Sequence, residues 1–247
     1  MGKPEFIEFE RVCRKGGILL NEAQRTQLQD YVNLLLQWNS RINLISRRSM
    51  ENVWTEQILH CLAPWTVIRF PESHKILDLG TGGGLPGIPL AIVRPDADIV
   101  LLDSVRKKTD AVREIVRALG LKHVSVATGR AEELGRRSGF AGAFGAVLAR
   151  GVAPLEELIR WAGPMLARSF RGKANLRSGQ RPILLEGPTL VALKGGDLAA
   201  ELRRAAVKTG ERDLEVFDLP LLDEVETGLE GKKLVVVRFG GGKIGPV

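Results

Sequence analysis

The stretch Lys75-Ile76-Leu77-Asp78-Leu79-Gly80-Thr81-Gly82-Gly83-Gly84-Leu85-Pro86-Gly87 decides how the rest of the chain is read. Lys75 to Leu79 has the pattern of a short buried strand, mostly apolar and cut off by glycines. Gly80, Gly82, Gly83 and Gly84 then crowd into one turn. Glycine accepts positive φ and carries no Cβ, so backbone amides there can come close to a ligand. Leu85 to Ile92 reads as the start of a helix, where Pro86 is accommodated because a first-turn N–H has no helical acceptor anyway. Strand, glycine turn and helix form the unit that binds nucleotide-like cofactors.

The spacing leaves a choice of cofactor. Gly82, Gly84 and Gly87 match G-x-G-x-x-G, a dinucleotide pattern. The run Asp78-x-Gly80-x-Gly82-x-Gly84 instead resembles motif I of the class I S-adenosylmethionine-dependent methyltransferases. In the dinucleotide pattern the third glycine lets the helix pack against the strand with its N-terminus aimed at a pyrophosphate. Here Pro86 falls inside that spacing and Pro89 follows it, which favours the methyltransferase reading. A glycine-rich turn with no ligand is the third possibility.

Composition narrows the class. The chain has 247 residues, 44% hydrophobic and 26% charged, enough for a sizeable core and ordinary for a globular protein. One large α/β domain with a smaller appendage is expected. The net charge of +7 suits a polyanionic partner. Two cysteines, Cys13 and Cys61, make neither a disulfide framework nor a zinc site, so no metal is expected. No apolar run is long enough to cross a membrane and no signal-peptide core opens the chain, so a cytoplasmic, reduced location is expected.

Residues 1–71 read as a helical extension and residues 72–247 as the α/β domain. Asn21 to Gln24 has the form of a capping box, followed by Leu28, Tyr31, Val32, Leu35, Leu36 and Trp38 at mostly helical spacing. Asn39 and Asn43 suit a turn. A second helix is expected from Ser49 to Ile68, with Gln57 and His60 among its polar residues, and Pro71 ends the segment. From Lys75 strands and helices alternate, which predicts a doubly wound, mostly parallel sheet. The strands are Asp98–Asp103, His123–Ala127, Gly145–Ala149 and Thr189–Leu193. Two last strands, Leu214–Leu219 and Leu234–Arg238 around a polar hairpin, predict an antiparallel edge strand. A basic run over residues 168–181 and a glycine-rich tail at Gly240–Lys243 stand outside this pattern.

The candidate site residues lie at the carboxyl ends of these strands. Asp103 can accept from ribose hydroxyls or can cap the next helix. Arg106 and Lys107 open a basic helix that is either a solvated face or a contact with RNA. Backbone amides near Ala131 and Glu132 could meet an adenine ring, and the same residues make an ordinary acidic helix start. Arg150 follows the fourth strand beside the switch-point crevice, and Lys194 ends the fifth.

Several segments then carry a family resemblance over almost the whole chain. Gly80 to Leu90 with Arg94-Pro95, and Leu102-Asp103-Ser104, resemble the bacterial small-subunit ribosomal RNA (guanine-N7)-methyltransferase G family, also called glucose-inhibited division protein B. Weaker echoes are Trp38-Asn39 with Asn43-Leu44, Arg150 to Ala153, Leu193 to Gly195 and Leu234 to Val236. The resemblance implies a Rossmann-like class I methyltransferase domain behind a helical N-terminal extension. It implies S-adenosyl-L-methionine as cofactor, with S-adenosyl-L-homocysteine as product. The implied cofactor contacts are Gly80, Leu85, Asp103, Ser104, Val105, Ala131, Glu132 and Arg150, beside Asp78 and Gly82 of motif I. The implied substrate is one guanine in the 530 loop of 16S ribosomal RNA, conventionally position 527, presented as RNA, 30S subunit or assembly intermediate to a monomeric enzyme. Arg150 and Lys194, with Asn43 from the N-terminal extension, are expected to line the acceptor pocket. One departure stands out: where the family often has His-x-Leu-Asp-Ser, this chain has Gln57-Ile58-Leu59-His60-Cys61. The basic run over residues 168–181 is a second.

Overall fold

The computed structural model describes residues 4–46, 50–70, 75–167, 183–185, 187–209, 214–219 and 231–239. The basic run over 168–181, the hairpin between the last two strands and the glycine-rich tail lie outside these residues.

Helix α1 (Pro4–Lys15) and helix α2 (Glu22–Asn39) open the fold. The capping box forms: Gln24 N donates to Asn21 Oδ1 at 2.9 Å, and Asn21 N donates to Gln24 Oε1 at 3.0 Å. This satisfies two amides that a helix start would otherwise leave orphaned. Leu28, Tyr31, Val32 and Leu35 form the buried face of α2, and Leu36 and Trp38 pack beside them, partly buried.

The second helical stretch differs from the regular helix expected. Val53–Leu59 is π-helical, His60–Leu62 (α3) is α-helical, and Ala63–Thr66 is a 3-10 turn. Ile68 leaves the helix altogether and joins strand β1 (Ile68–Arg69). Gln57 through Pro64 are all buried, so this segment has no solvent face. An amphipathic stripe cannot set its pitch, and surrounding packing does. Strand β1 pairs in parallel with β6 (Ile183–Leu184) as a small separate sheet.

The main sheet contains β2 (Lys75–Leu79), β3 (Asp98–Asp103), β4 (Val124–Thr128), β5 (Ala146–Arg150), β7 (Thr189–Lys194), β8 (Leu214–Asp218) and β9 (Lys233–Arg238). Their order is β4-β3-β2-β5-β7-β9-β8. The antiparallel strand is β9, which runs against both β7 and β8; it stands one strand in from the expected edge position, which β8 takes. The direction of winding reverses between β2 and β5, and that switch point opens a crevice at their carboxyl ends.

Alternating side chains along the central strands feed two layers. Ile76, Ile99, Leu101, Leu148 and Val191 join the cluster that also holds Phe9, Tyr31, Leu35 and Ile58 from the N-terminal segment. Leu77, Leu79, Val100, Val147 and Leu190 face the opposite cluster, with Leu155, Leu158 and Ala205. The N-terminal helices therefore share the core of one sheet face. Gln24 Nε2 donates to Ile92 O at 3.1 Å and Gln27 Nε2 to Leu119 O at 3.3 Å, which fixes α2 across the ends of the helices α4 (Gly87–Val93) and α5 (Arg106–Ala118). Among the described residues no helix is long and apolar enough to cross a membrane.

Candidate active site

The glycine turn is tied from beneath by Asp78. This aspartate is fully buried, and its Oδ2 accepts from Thr81 Oγ1 at 2.6 Å and from Gly87 N at 2.8 Å. Burial pushes its carboxyl up to about 6, against the opposing pull of those two hydrogen bonds. Gly80, Gly82 and Gly84 adopt φ of +73°, +56° and +97°, a region that side chains disfavour. Gly87 is needed for a different reason. A Cβ there would collide with the Leu101 side chain and come within 2.7 Å of Asp78 Oδ2. Its role is close helix–strand packing, as the third glycine of the pattern requires.

Asp103 braces the same turn from the next strand. Its Oδ2 accepts from Gly82 N at 3.0 Å and its Oδ1 from Val105 N at 2.8 Å. Both roles weighed for it are thus compatible: it organises the start of α5, and each oxygen keeps acceptor capacity. Ser104 and Val105 are exposed beside it, Val105 by 44%. The carbonyl of Asp103 accepts from Gly129 N at 3.0 Å, which joins the third loop to the first two. In that loop Ala131 is buried and Glu132 exposed at the head of the short helix α6 (Ala131–Leu134). Leu85 is buried under the turn.

The N-terminal extension forms one wall. Tyr31 donates its hydroxyl to Gly83 O at 3.0 Å. A Cβ on Gly83 would meet Leu35 Cδ1 at 2.7 Å and Leu44 Cβ at 3.2 Å. The turn carrying Leu44 is stapled by Asn39, whose Oδ1 accepts from Leu44 N at 2.7 Å and Ile45 N at 2.9 Å. Asn43 is exposed in that turn and lines a shallow hollow with Leu44, Ile45 and Ser46. Nothing in the sequence pattern singled out Tyr31 as more than core. Its hydroxyl was the missed signal, because a buried phenol needs a partner.

Arg150 and Lys194 end adjacent strands, with Arg150 paired to Leu193 in register, yet their surroundings differ. Lys194 is a fixed structural group rather than a free acceptor-pocket cation. Its Nζ donates to Ala153 O at 2.7 Å and pairs with Glu201 at 2.5 Å, and Glu201 also accepts from Leu155 N. The pair is largely buried, with the Lys194 side chain 14% exposed, and it holds the loop from Gly151 to Leu155. That loop presses Val152 onto Gly80, where a Cβ would meet Val152 Cγ2 at 2.6 Å. Arg150 instead donates from Nη2 to Gln57 Oε1 at 2.8 Å, and its Nε has no partner among the described residues. His60, also buried, leaves Nε2 without a partner. Burial, reinforced by the positive charges of Arg150 and Lys232, presses its imidazole down to about 3 and keeps it neutral.

The rRNA small subunit methyltransferase G family (GidB) matches the chain over residues 24–171. A Chlorobium luteolum protein named ribosomal RNA small subunit methyltransferase G is 38% identical over 230 residues, 92% of this chain and 87% of that one. The chain belongs to the rRNA small subunit methyltransferase G family. Among solved structures, a Nostoc punctiforme protein described as an O-methyltransferase aligns with a TM-score of 0.53 at 16% identity, covering 95% of this chain and 71% of that one. The cyclase SpnF aligns with a TM-score of 0.50 at 15% identity, covering 89% and 97%. These two show the Rossmann-like fold alone, and a cyclase among them illustrates that the fold does not dictate the chemistry. The segment Gln57 to Cys61, where a departure from the family pattern is expected, reaches the crevice, because Gln57 is the group that holds Arg150.

Proposed function

We infer that this methyltransferase moves a methyl group from S-adenosyl-L-methionine to N7 of one guanine in small-subunit ribosomal RNA, the position 527 class of the 530 loop. The observation that carries the reading is the doubly braced glycine turn, Asp78 below and Asp103 beside it, in a chain of this family. The turn fits a nucleoside with an amino-acid end. Asp103 has acceptor capacity left for ribose hydroxyls. Val105 and Val152, two of the few large apolar side chains left exposed, border the turn and offer apolar surface to a purine and a thioether. Gly80, Gly82, Leu85, Asp103, Ser104, Val105, Ala131 and Glu132 would hold the cofactor, with Asp78 acting through the loop and Arg150 at the acceptor side.

When bound, the cofactor supplies an electrophilic sulfonium methyl. Guanine N7 carries an exposed lone pair and no proton, so the acceptor requires no general base. The work left to the chain is positioning two reactants in line, a large effect in itself. Its side chains match that economy. Cys13 and Cys61 are both buried, and burial raises their thiols to about 12, which leaves no reactive thiolate. Arg150 can donate to guanine O6 or a phosphate, and exposed Asn43 can reach the base from the opposite wall. N7 lies in the deep groove of paired RNA, so the target base is expected in a loop or an open particle.

The test is transfer of labelled methyl from S-adenosylmethionine to 30S particles lacking the modification, with the base mapped by cleavage at 7-methylguanine. A single labelled guanine in the 530 loop is expected. Cofactor binding with no label on any ribosomal substrate would leave the fold standing and defeat the substrate assignment.

A further inference from the structure

Several cations around the sheet are matched by acids. Arg94 pairs with Asp96, Arg113 with Asp110, Arg117 with Glu114, Lys194 with Glu201 and Arg204 with Glu156. Arg150 and Lys232, at the carboxyl edge of the sheet, are not. Neither has a carboxylate within ion-pair distance among the described residues. Both are partly buried, and a cation drawn out of water is costly until an anion or hydrogen-bond acceptor meets it. His60 adds a second, independent sign: it is buried, its Nε2 has no partner, and Arg150 and Lys232 are its charged neighbours.

The backbone makes room for this arrangement. Lys232 directly precedes β9, and Lys233 pairs with Lys194 at the carboxyl edge of the sheet. A Cβ on Gly195 would lie 2.5 Å from Lys232 Nζ and 2.6 Å from its Cδ, so the lysine crosses over a position that must stay bare. In sheet order β9 stands three strands from β2, about 14 Å at the usual strand spacing. The cofactor loops belong to β2, β3 and β4, on the other side of the switch point.

We propose that Lys232, His60 and Arg150 form an anion site that seats a backbone phosphate of the RNA strand carrying the target guanine. The inference rests on the rRNA reading above. It divides the labour at the crevice: Lys232, Arg150 and His60 hold the phosphate, and the base is left to Asn43. Phosphate contacts fix register while base contacts specify. A neutral imidazole donates to an oxygen without adding charge, so the anion meets two cations and one neutral donor.

The test compares Lys232→Gln and Gly195→Ala with the parent on 30S particles lacking the modification. Gly195→Ala keeps every charge and displaces only the flexible end of Lys232, so it separates a seated ammonium from general attraction. Lys232→Gln is expected to raise KM for the particle about tenfold, to leave kcat within about twofold, and to flatten the log affinity against log salt slope by about 0.7–0.9, one phosphate contact. Gly195→Ala should raise KM in the same direction by a smaller factor, and S-adenosylhomocysteine affinity should not change in either. A fall in S-adenosylhomocysteine affinity would mean that the anion is the cofactor carboxylate and would overturn the assignment. An effect of Lys232→Gln without one of Gly195→Ala, or no effect of either, would overturn it as well. If the parent itself transfers nothing to the particle, the rRNA reading fails and takes this inference with it.

Discussion

The two halves of the crevice are built on opposite terms. On the β2–β3–β4 side, side chains tie the loops together: Asp78 holds Thr81 and Gly87 through Oδ2, leaving only its Oδ1 without a partner among the described residues, Asp103 holds Gly82 and Val105, and Tyr31 holds Gly83. On the β5–β7–β9 side Arg150 Nε and His60 Nε2 have no partner among the described residues, and Lys232 has no acid. One half has its loop backbone tied down before any ligand arrives, and is finished in that sense; the other waits for an anion. Lys194 sits at the frontier and belongs, by its bonds, to the finished half.

Substitutions that break the finished half should cost stability. Gly87→Ala has the largest expected effect. Its methyl would strike Leu101 and crowd the carboxylate that Gly87 N must reach, so a loss of about 3 kcal/mol is expected from overpacking and a displaced hydrogen bond. Chemical denaturation measures it, and a near-neutral result would show that the strand–helix contact is loose. Lys194→Ala should cost about 2 kcal/mol, because Glu201 is left with its charge in a largely buried setting, although the amide of Leu155 still serves it. The salt slope of RNA binding should stay unchanged in that variant. A flattened slope would move Lys194 to the unfinished half.

The smallest net effect in the parent is a dependence on pH, because the two halves impose it with opposite signs. Asp78 takes up its proton more readily when folded, near 6 against 3.8, so its share of stability falls as pH rises between about 4 and 6. His60 takes up its proton less readily when folded, near 3 against 6.5, so its share is present above about 6.5 and is lost as pH falls toward 3. Between about 4 and 6 the two oppose each other. In His60→Gln only the aspartate trend should remain, so stability should fall with rising pH in that window, by at most about 1.4 kcal/mol per pH unit. A parent and variant with parallel stability profiles would show that His60 titrates normally.

Much of the finished half was legible in the sequence. Alternation of apolar strands with glycine punctuation located β2, β3 and β5 to within a residue, and it put Asp78 and Asp103 on their strands. Those residues act locally: Gly82 and Val105 are the neighbours that a carboxylate at that strand end must meet. The unfinished half was harder. Lys232 reaches its place only because β9 runs antiparallel into register with β7, a long-range fact with no local signature. The partner of Lys194, Glu201, lies on a helix beyond a loop, so a lysine at the carboxyl edge read as available when it was occupied. The strands β1 and β6 have two residues each, too few to carry a periodicity, and the π-helical turn runs into the segment Gln57 to Pro64, where burial on every side erases it. The sequence places Arg150 at its strand end, but gives Gln57, which holds it, only as a departure from the expected family pattern.

The most direct measurement is residue-resolved amide hydrogen exchange on the free protein, on the protein with S-adenosylhomocysteine, and on its complex with the 30S particle. The amides of Gly82, Gly87 and Val105 are bonded to carboxylates before any ligand is added, and they should already exchange slowly in the free protein. The cofactor should change them little, and the segments around Gln57–Cys61 and Lys232 should gain protection only with RNA. Fast exchange at Gly82, Gly87 and Val105 until the cofactor binds would contradict a half completed in advance, and the division of the crevice would fall with it.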